Sequence, residues 1–203
     1  MFVTLSRLRR LVLLDLRVLD EARLDPRATL AALVVATVSM TMLGLGGWLW
    51  WIASGLVDRQ TIFVRTVILG TACGLVAWLA WLLVAYLILS RLARSAIDMG
   101  QLVRGAGFAC TPLVLALLMV VRPLAFGVGL AALAAWFGAT QLAIRYTTRR
   151  EDGEVLVANV AGFGAWTLIM SLLTTGMRQI GPGPFLAESI WEAVTGGNVF
   201  FGS

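Results

Sequence analysis

The chain has 203 residues, 60% of them hydrophobic and 13% charged, with a formal net charge of +5. Soluble domains carry roughly 45–50% apolar residues, so an aqueous globule would leave too much apolar surface in water and lipid must solvate part of it. The positive balance does not indicate nucleic acid, because the basic residues flank long uncharged runs and no stripe of base-stacking aromatics accompanies them.

The first segment, 1–27, does not read as a secretory signal, which needs a basic head and then a continuous apolar stretch. Charges from Arg7 to Arg23 interrupt the leucines, while Leu5, Leu8, Val12, Leu16 and Leu19 recur at spacings of three and four. That periodicity predicts an amphipathic helix lying on the membrane surface, with docking on a neighbouring protein as the alternative. It ends at Asp25-Pro26-Arg27-Ala28-Thr29. Pro26 disfavours helix at Asp25, Asp25 is placed to cap the helix that follows, and Arg27 is placed to meet phosphate head groups.

Five uncharged runs follow, over 28–57, 66–90, 105–121, 123–144 and 155–177. A helix needs about 20 residues to cross the hydrocarbon. The third run is at the lower limit, but Arg122 and Pro123 turn it into a full-length fourth, so the two read as a helical hairpin. The expected fold is an all-α membrane protein of five transmembrane helices occupying 28–177, preceded by the surface helix.

Orientation follows from the arginines. Twelve of them (Arg7, Arg9, Arg10, Arg17, Arg23, Arg27, Arg91, Arg94, Arg104, Arg145, Arg149, Arg150) fall on one side and four (Arg59, Arg65, Arg122, Arg178) on the other. The excess marks the cytoplasmic side. The amino terminus is then cytoplasmic and the carboxyl terminus, after five crossings, outside.

Trp48, Trp50 and Trp51 fall where the first span leaves the outer leaflet, as amphipathic rings prefer. Trp78, Trp81, Trp136 and Trp166 lie deeper, where their N–H groups need partners or a helix interface. Gly70 and Gly74 form a GxxxG pair on the second span, and Gly127, Ala131 and Ala135 form a small-residue stripe on the fourth. Both are candidate helix contacts, because close backbone approach partly replaces the hydrophobic drive between helices in lipid. Gly44, Gly46 and Gly47 are expected to loosen the outer half of the first span.

The tail 178–203 carries Gly181-Pro182-Gly183-Pro184, which cannot continue a regular helix, and Pro184 suits the first turn of a new one. Over 185–194, Phe185, Leu186, Ile190, Trp191 and Val194 share an apolar sector. At 1.5 Å per residue such a helix reaches only about 15 Å, so it is expected to rest at the outer interface on lipid or a partner.

The chain carries no Walker loop, zinc-protease motif or nucleophile elbow. Histidine is absent, which removes the commonest metal ligand and the usual haem ligand; no cofactor and no metal site are expected. Cys73 and Cys110 lie within apolar runs and read as packing residues. Gln141 and Asn159 read as polar groups that bond across helices or face water. Asp25, Asp98, Glu151, Asp152 and Glu154 read as solvated loop charges, and no spacing unites them.

One further segment stands out, Arg104 to Pro112, RGAGFACTP. Gly105 and Gly107 permit close backbone approach, and Pro112 is expected to kink the third span by removing a backbone bond. Two readings stay open: a groove beside Arg104, or helix packing alone.

These segments resemble the Yip (Ypt-interacting protein) family of polytopic membrane proteins, especially its bacterial members. The resemblance is carried by the DPRAT-like entry at Asp25 to Thr29, the polar stretch Arg91 to Gln101, RGAGFACTP from Arg104 to Pro112, and the short turn before the fourth span. It covers about residues 20–176 and implies a five-span domain with a cytoplasmic amino terminus, here in a bacterial inner membrane. Eukaryotic members are associated with prenylated Rab-type GTPases. This chain lacks a long acidic or aromatic-rich amino-terminal domain, so that role is not carried over.

The expected function is a non-enzymatic integral membrane scaffold or accessory subunit that binds a membrane-protein partner, a second copy or membrane lipid. The alternative is a transporter or permease subunit for a lipid or other apolar molecule. Asp25, Arg27, Arg104, Pro112 and Trp191 are the candidate lipid or partner contacts.

Overall fold

The computed structural model describes residues 24–53, 59–93 and 97–176. The expected surface helix lies, up to residue 23, outside the described residues, as does the whole tail with Trp191. Among the described residues the only regular structure is helical, with five helices long and apolar enough to cross a membrane: Ala28–Ala53, Gln60–Arg91, Met99–Val120, Ala125–Thr148 and Asp152–Leu173. Leu30, Val34, Val76, Leu83, Leu168 and Leu172 point outward from these helices. Such a surface is consistent with an integral membrane protein, because lipid solvates what water would not.

The first, third and fifth spans begin at one end of the bundle, which we call the arginine-rich end. Each begins with a carboxylate that meets the positive end of the helix dipole. Asp25 Oδ1 accepts from Arg27 N at 3.0 Å, and Asp98 Oδ1 accepts from Gly100 N at 2.7 Å. Asp152 and Glu154 lie in the first turn of the fifth helix. The second and fourth spans finish at this end with Arg91 and Arg145 in their last turns, the favourable sign there. Arg149 closes the fourth helix at φ 51°, a left-handed cap usually given to glycine or asparagine, with its N–H on the Arg145 carbonyl at 2.8 Å.

The spans close into a ring in the order first, third, fourth, fifth, second. The first and third share the broadest interface, and the fourth and fifth the narrowest. Glycine sets the tight contacts. A Cβ on Gly107 would lie 2.7 Å from the Ala32 carbonyl oxygen, and one on Gly44 2.8 Å from that of Thr66. A Cβ on Gly46 would collide with the Ala116 carbonyl, and one on Gly162 with the Trp81 ring. The sequence led to the expectation that Gly44, Gly46 and Gly47 loosen the first span; instead Gly44 and Gly46 lie within one continuous helix and let it press on the second and third.

The second span opens with Arg59–Phe63, passes through a π-helical turn over Val64–Leu69, and continues as Gly70–Ala93. The third span differs more from expectation. It starts at Met99 rather than 105, as a ten-residue α-helix to Phe108 capped by Asp98. After a turn at Ala109 and Cys110 it continues as a 3-10 helix over Thr111–Val120. Pro112 occupies the first turn of that 3-10 helix and does not kink an α-helix interior. Its missing N–H leaves the Phe108 carbonyl to the Thr111 hydroxyl, which donates at 2.7 Å. Burial follows the 3-10 period: Leu113, Ala116 and Met119 are buried, and residues three apart eclipse one another in this helix. At about 2.0 Å per residue the 3-10 segment also carries a short apolar run further across the bilayer than an α-helix would.

Candidate functional site

The two segments that stand out in the sequence meet at one point. Arg104 lies about one and a half turns inside the third span and is 9% exposed. Its Nη1 donates to Thr29 Oγ1 at 3.3 Å, and its Nη2 lies 3.7 Å from Asp98 Oδ2. Thr29 in turn donates its hydroxyl to the Pro26 carbonyl at 3.0 Å. The Asp25–Thr29 entry, the Asp98 cap and Arg104 thus form one polar cluster at the arginine-rich end. A buried guanidinium is tolerated when it is paired with a carboxylate and hydrogen-bonded.

The glycines beside Arg104 are filled by the chain itself. A Cβ on Gly105 would meet Thr147 Oγ1 at 3.1 Å, and Gly107 lies against Ala32. Of the two readings of the segment, packing is the one these contacts support, and no groove opens at these glycines. Pro112 lies further along the same span, half-buried, and is not brought to Arg104. Arg27, part of the same entry, is exposed at the start of the first span. Trp191 lies outside the described residues.

Sequence reasoning missed Asp98. It read as a loop charge, although an acid immediately before an apolar helix start is a cap signal. Asp152 is paired with Arg145 at 2.9 Å, and both side chains are more than half exposed. Thr147 was also missed, since a threonine filling the space over a glycine has no local sequence signature. No group of three or more His, Cys, Asp or Glu is placed to hold a metal ion among the described residues.

The interior between the second, fourth and fifth spans is aromatic. Trp81 packs edge-on to Trp136 at 4.9 Å and to Phe163 at 5.1 Å, and Trp136 packs edge-on to Trp166 at 5.1 Å. Asn159 ties these spans together: Trp81 Nε1 donates to its Oδ1 at 3.1 Å, and its Nδ2 donates to the Phe137 carbonyl at 3.3 Å. This is the bond across helices expected of Asn159. Cys110 is buried and Cys73 half-buried, both as free thiols.

The small-residue stripe of the fourth span points the other way. Gly127, Ala131 and Ala135 are all exposed, and a Cβ on Gly127 would meet nothing within 4 Å. Leu124, Phe126 and Leu130 are exposed around them. The stripe therefore makes none of the bundle's own close helix contacts. No protein-family model matches the chain, and no curated protein or solved structure matches it either.

Proposed function

We propose that this chain is a non-enzymatic integral membrane scaffold or accessory subunit of Yip type. In this reading it docks a membrane-protein partner, or a second copy, through the outward face of its fourth span. One observation carries this. Gly44, Gly46, Gly107 and Gly162 are each occupied by a neighbouring span, whereas Gly127, Ala131 and Ala135 form a comparable surface that none of the described spans covers. Small residues in line allow close approach of another helix backbone, the main source of affinity between helices in lipid.

In this reading the arginine excess puts the arginine-rich end on the cytoplasmic side, and the Yip-type resemblance puts the domain in a bacterial inner membrane. There Arg27 lies at the level of anionic head groups, and the Arg104 cluster fixes the first span to the third. Photo-crosslinking from position 131 in native membranes tests the docking face. A discrete adduct from 131, absent from the equivalent probe at outward-facing Leu83, supports it. Lipid adducts alone at both positions contradict it.

A further inference from the structure

Two of the five spans depart from α-helix, and they depart in opposite directions. The stretch 105–121 is the shortest uncharged run of the five. Wound wholly as α-helix it would reach about 25 Å, short of a hydrocarbon core of about 30 Å. With Thr111–Val120 as 3-10 helix, at about 2.0 Å per residue, it reaches about 30 Å. The second span is the longest of the five helices, at 32 residues from Gln60 to Arg91. It carries the π-helical turn over Val64–Leu69, whose i→i+5 bonding puts more residues into each turn and so shortens the helix. The short span is drawn out and the long one is wound in.

Sequence preference does not account for the 3-10 form. Runs of 3-10 helix longer than three or four residues are uncommon, because their hydrogen bonds are poorer. Leu113, Leu115, Ala116, Leu117, Leu118 and Met119 are all strong α-helix formers. Pro112 sits in the first turn, where a helix has no use for its missing donor. Patterning does not fix one winding either. Leu113, Ala116 and Met119 are buried in the 3-10 form, whereas Leu113, Leu117 and Val120 would share a face in an α-helix and are equally apolar.

The first span meets both irregular segments through glycine, so no interlocked side chain holds either winding at these contacts. Gly46 lies against the Ala116 carbonyl of the 3-10 segment, and Gly44 against the Thr66 and Val67 backbone of the π turn. At the arginine-rich end the third span is fixed to the first, by Arg104 on Thr29 and by Gly107 on Ala32. A change of winding is therefore expressed at the far end. There Val121 is extended, and Leu124 N donates to its carbonyl at 2.9 Å in the turn before the fourth span.

We propose that the third span is a length-adjusting element that reads bilayer thickness: Thr111–Val120 is 3-10 helix where the hydrocarbon is thick and α-helix where it is thin. The partner is the acyl region of the bilayer. The trigger is hydrophobic mismatch, which helices otherwise relieve by tilting or by deforming the bilayer. Full conversion shortens the span by about 5 Å, the difference between 2.0 and 1.5 Å of rise per residue over the segment. This inference stands apart from the docking face on the fourth span.

Double electron–electron resonance on the full chain tests this in vesicles of dimyristoleoyl and of dieicosenoyl phosphatidylcholine, which share a headgroup and differ in acyl-chain length. Bio-orthogonal spin labels leave the thiols of Cys73 and Cys110 in place. One label pair joins Val34 to Val121 and the other joins Val34 to Val114, all three being exposed positions. On passing from the thick bilayer to the thin one, the Val34–Val121 pair should close by about 5 Å along the span axis. The Val34–Val114 pair should close by only about 2 Å, because most of the 3-10 segment lies beyond Val114. Equal closing of both pairs would show the span sliding as a unit and would overturn the proposal, as would distances that are the same in the two lipids.

Discussion

Arg104 Nη1 reaches across 75 residues of sequence to Thr29 Oγ1, at 3.3 Å, and so pins the entry of the first span to the third. Hydrogen bonds to charged groups contribute about 1.5–3 kcal/mol, and one neutral bond about 1 kcal/mol. Arg104→Ala and Thr29→Val should therefore each lower stability by about 2 kcal/mol. The double variant should lose less than the sum, because the two residues share one bond. Equilibrium unfolding in mixed micelles measures all three, and strict additivity would show that the bond does not form.

The glycines separate into two groups with opposite expectations. Gly46→Ala places a methyl on the Ala116 carbonyl, so the first and third spans must part. Overpacking of this kind costs about 1–3 kcal/mol. Gly127→Ala meets open space and should change the stability of the isolated chain by less than about 0.5 kcal/mol. The same unfolding assay compares them directly.

Pro112→Ala restores a backbone donor at the start of the 3-10 segment, where it competes with the Thr111 hydroxyl for the Phe108 carbonyl. The α-helix from Met99 can then continue through the turn. Spin labels at positions 110 and 120 should move from about 20 Å apart toward about 15 Å, the difference between 2.0 and 1.5 Å of rise per residue. An unchanged distance would show that packing against the first span, rather than Pro112, holds the 3-10 form.

Asn159→Leu removes the acceptor of Trp81 Nε1 and the donor to the Phe137 carbonyl together. Polar bonds between membrane helices average about 0.6 kcal/mol and reach about 1.7 kcal/mol. With two such bonds lost, a decrease of about 1–2 kcal/mol is expected in the unfolding assay. An unchanged stability would place no weight on this link between the second, fourth and fifth spans.

Much of the fold was legible because lipid imposes a simple rule: long runs without charge become spans. The run boundaries were less legible. The third helix begins at Met99, six residues before its uncharged run, because Asp98 caps it and Arg104 is bonded inside the bundle. An arginine reads as the end of a run unless its partners are known, and Thr29 and Asp98 are partners only in three dimensions. The 3-10 form of Thr111–Val120 was hidden for a related reason. Its sequence is apolar from Pro112 onward, and only the burial of Leu113, Ala116 and Met119 reveals a period of three. The stripe of Gly127, Ala131 and Ala135 was visible as spacing, but whether it faced inward or outward depended on the ring order. Asp25 and Arg27 were placed correctly at a helix entry because Pro26 punctuates the chain locally.

Orientation is tested by cysteines introduced at Gln60 and Thr148 in whole cells. An impermeant thiol reagent should label position 60 without lysis and position 148 only after it. The reverse pattern would invert the arginine-based assignment.

The docking face of the fourth span is tested most directly by size. Gly127→Leu with Ala131→Leu fills the outward stripe without touching the bundle interior. Native mass spectrometry of complexes released from membranes in mild detergent should show the unaltered chain in a larger stoichiometric assembly. The double variant, equally stable by unfolding, should appear as the single chain. An assembly of unchanged mass in the double variant, or a single chain in both, would contradict a docking role for this face.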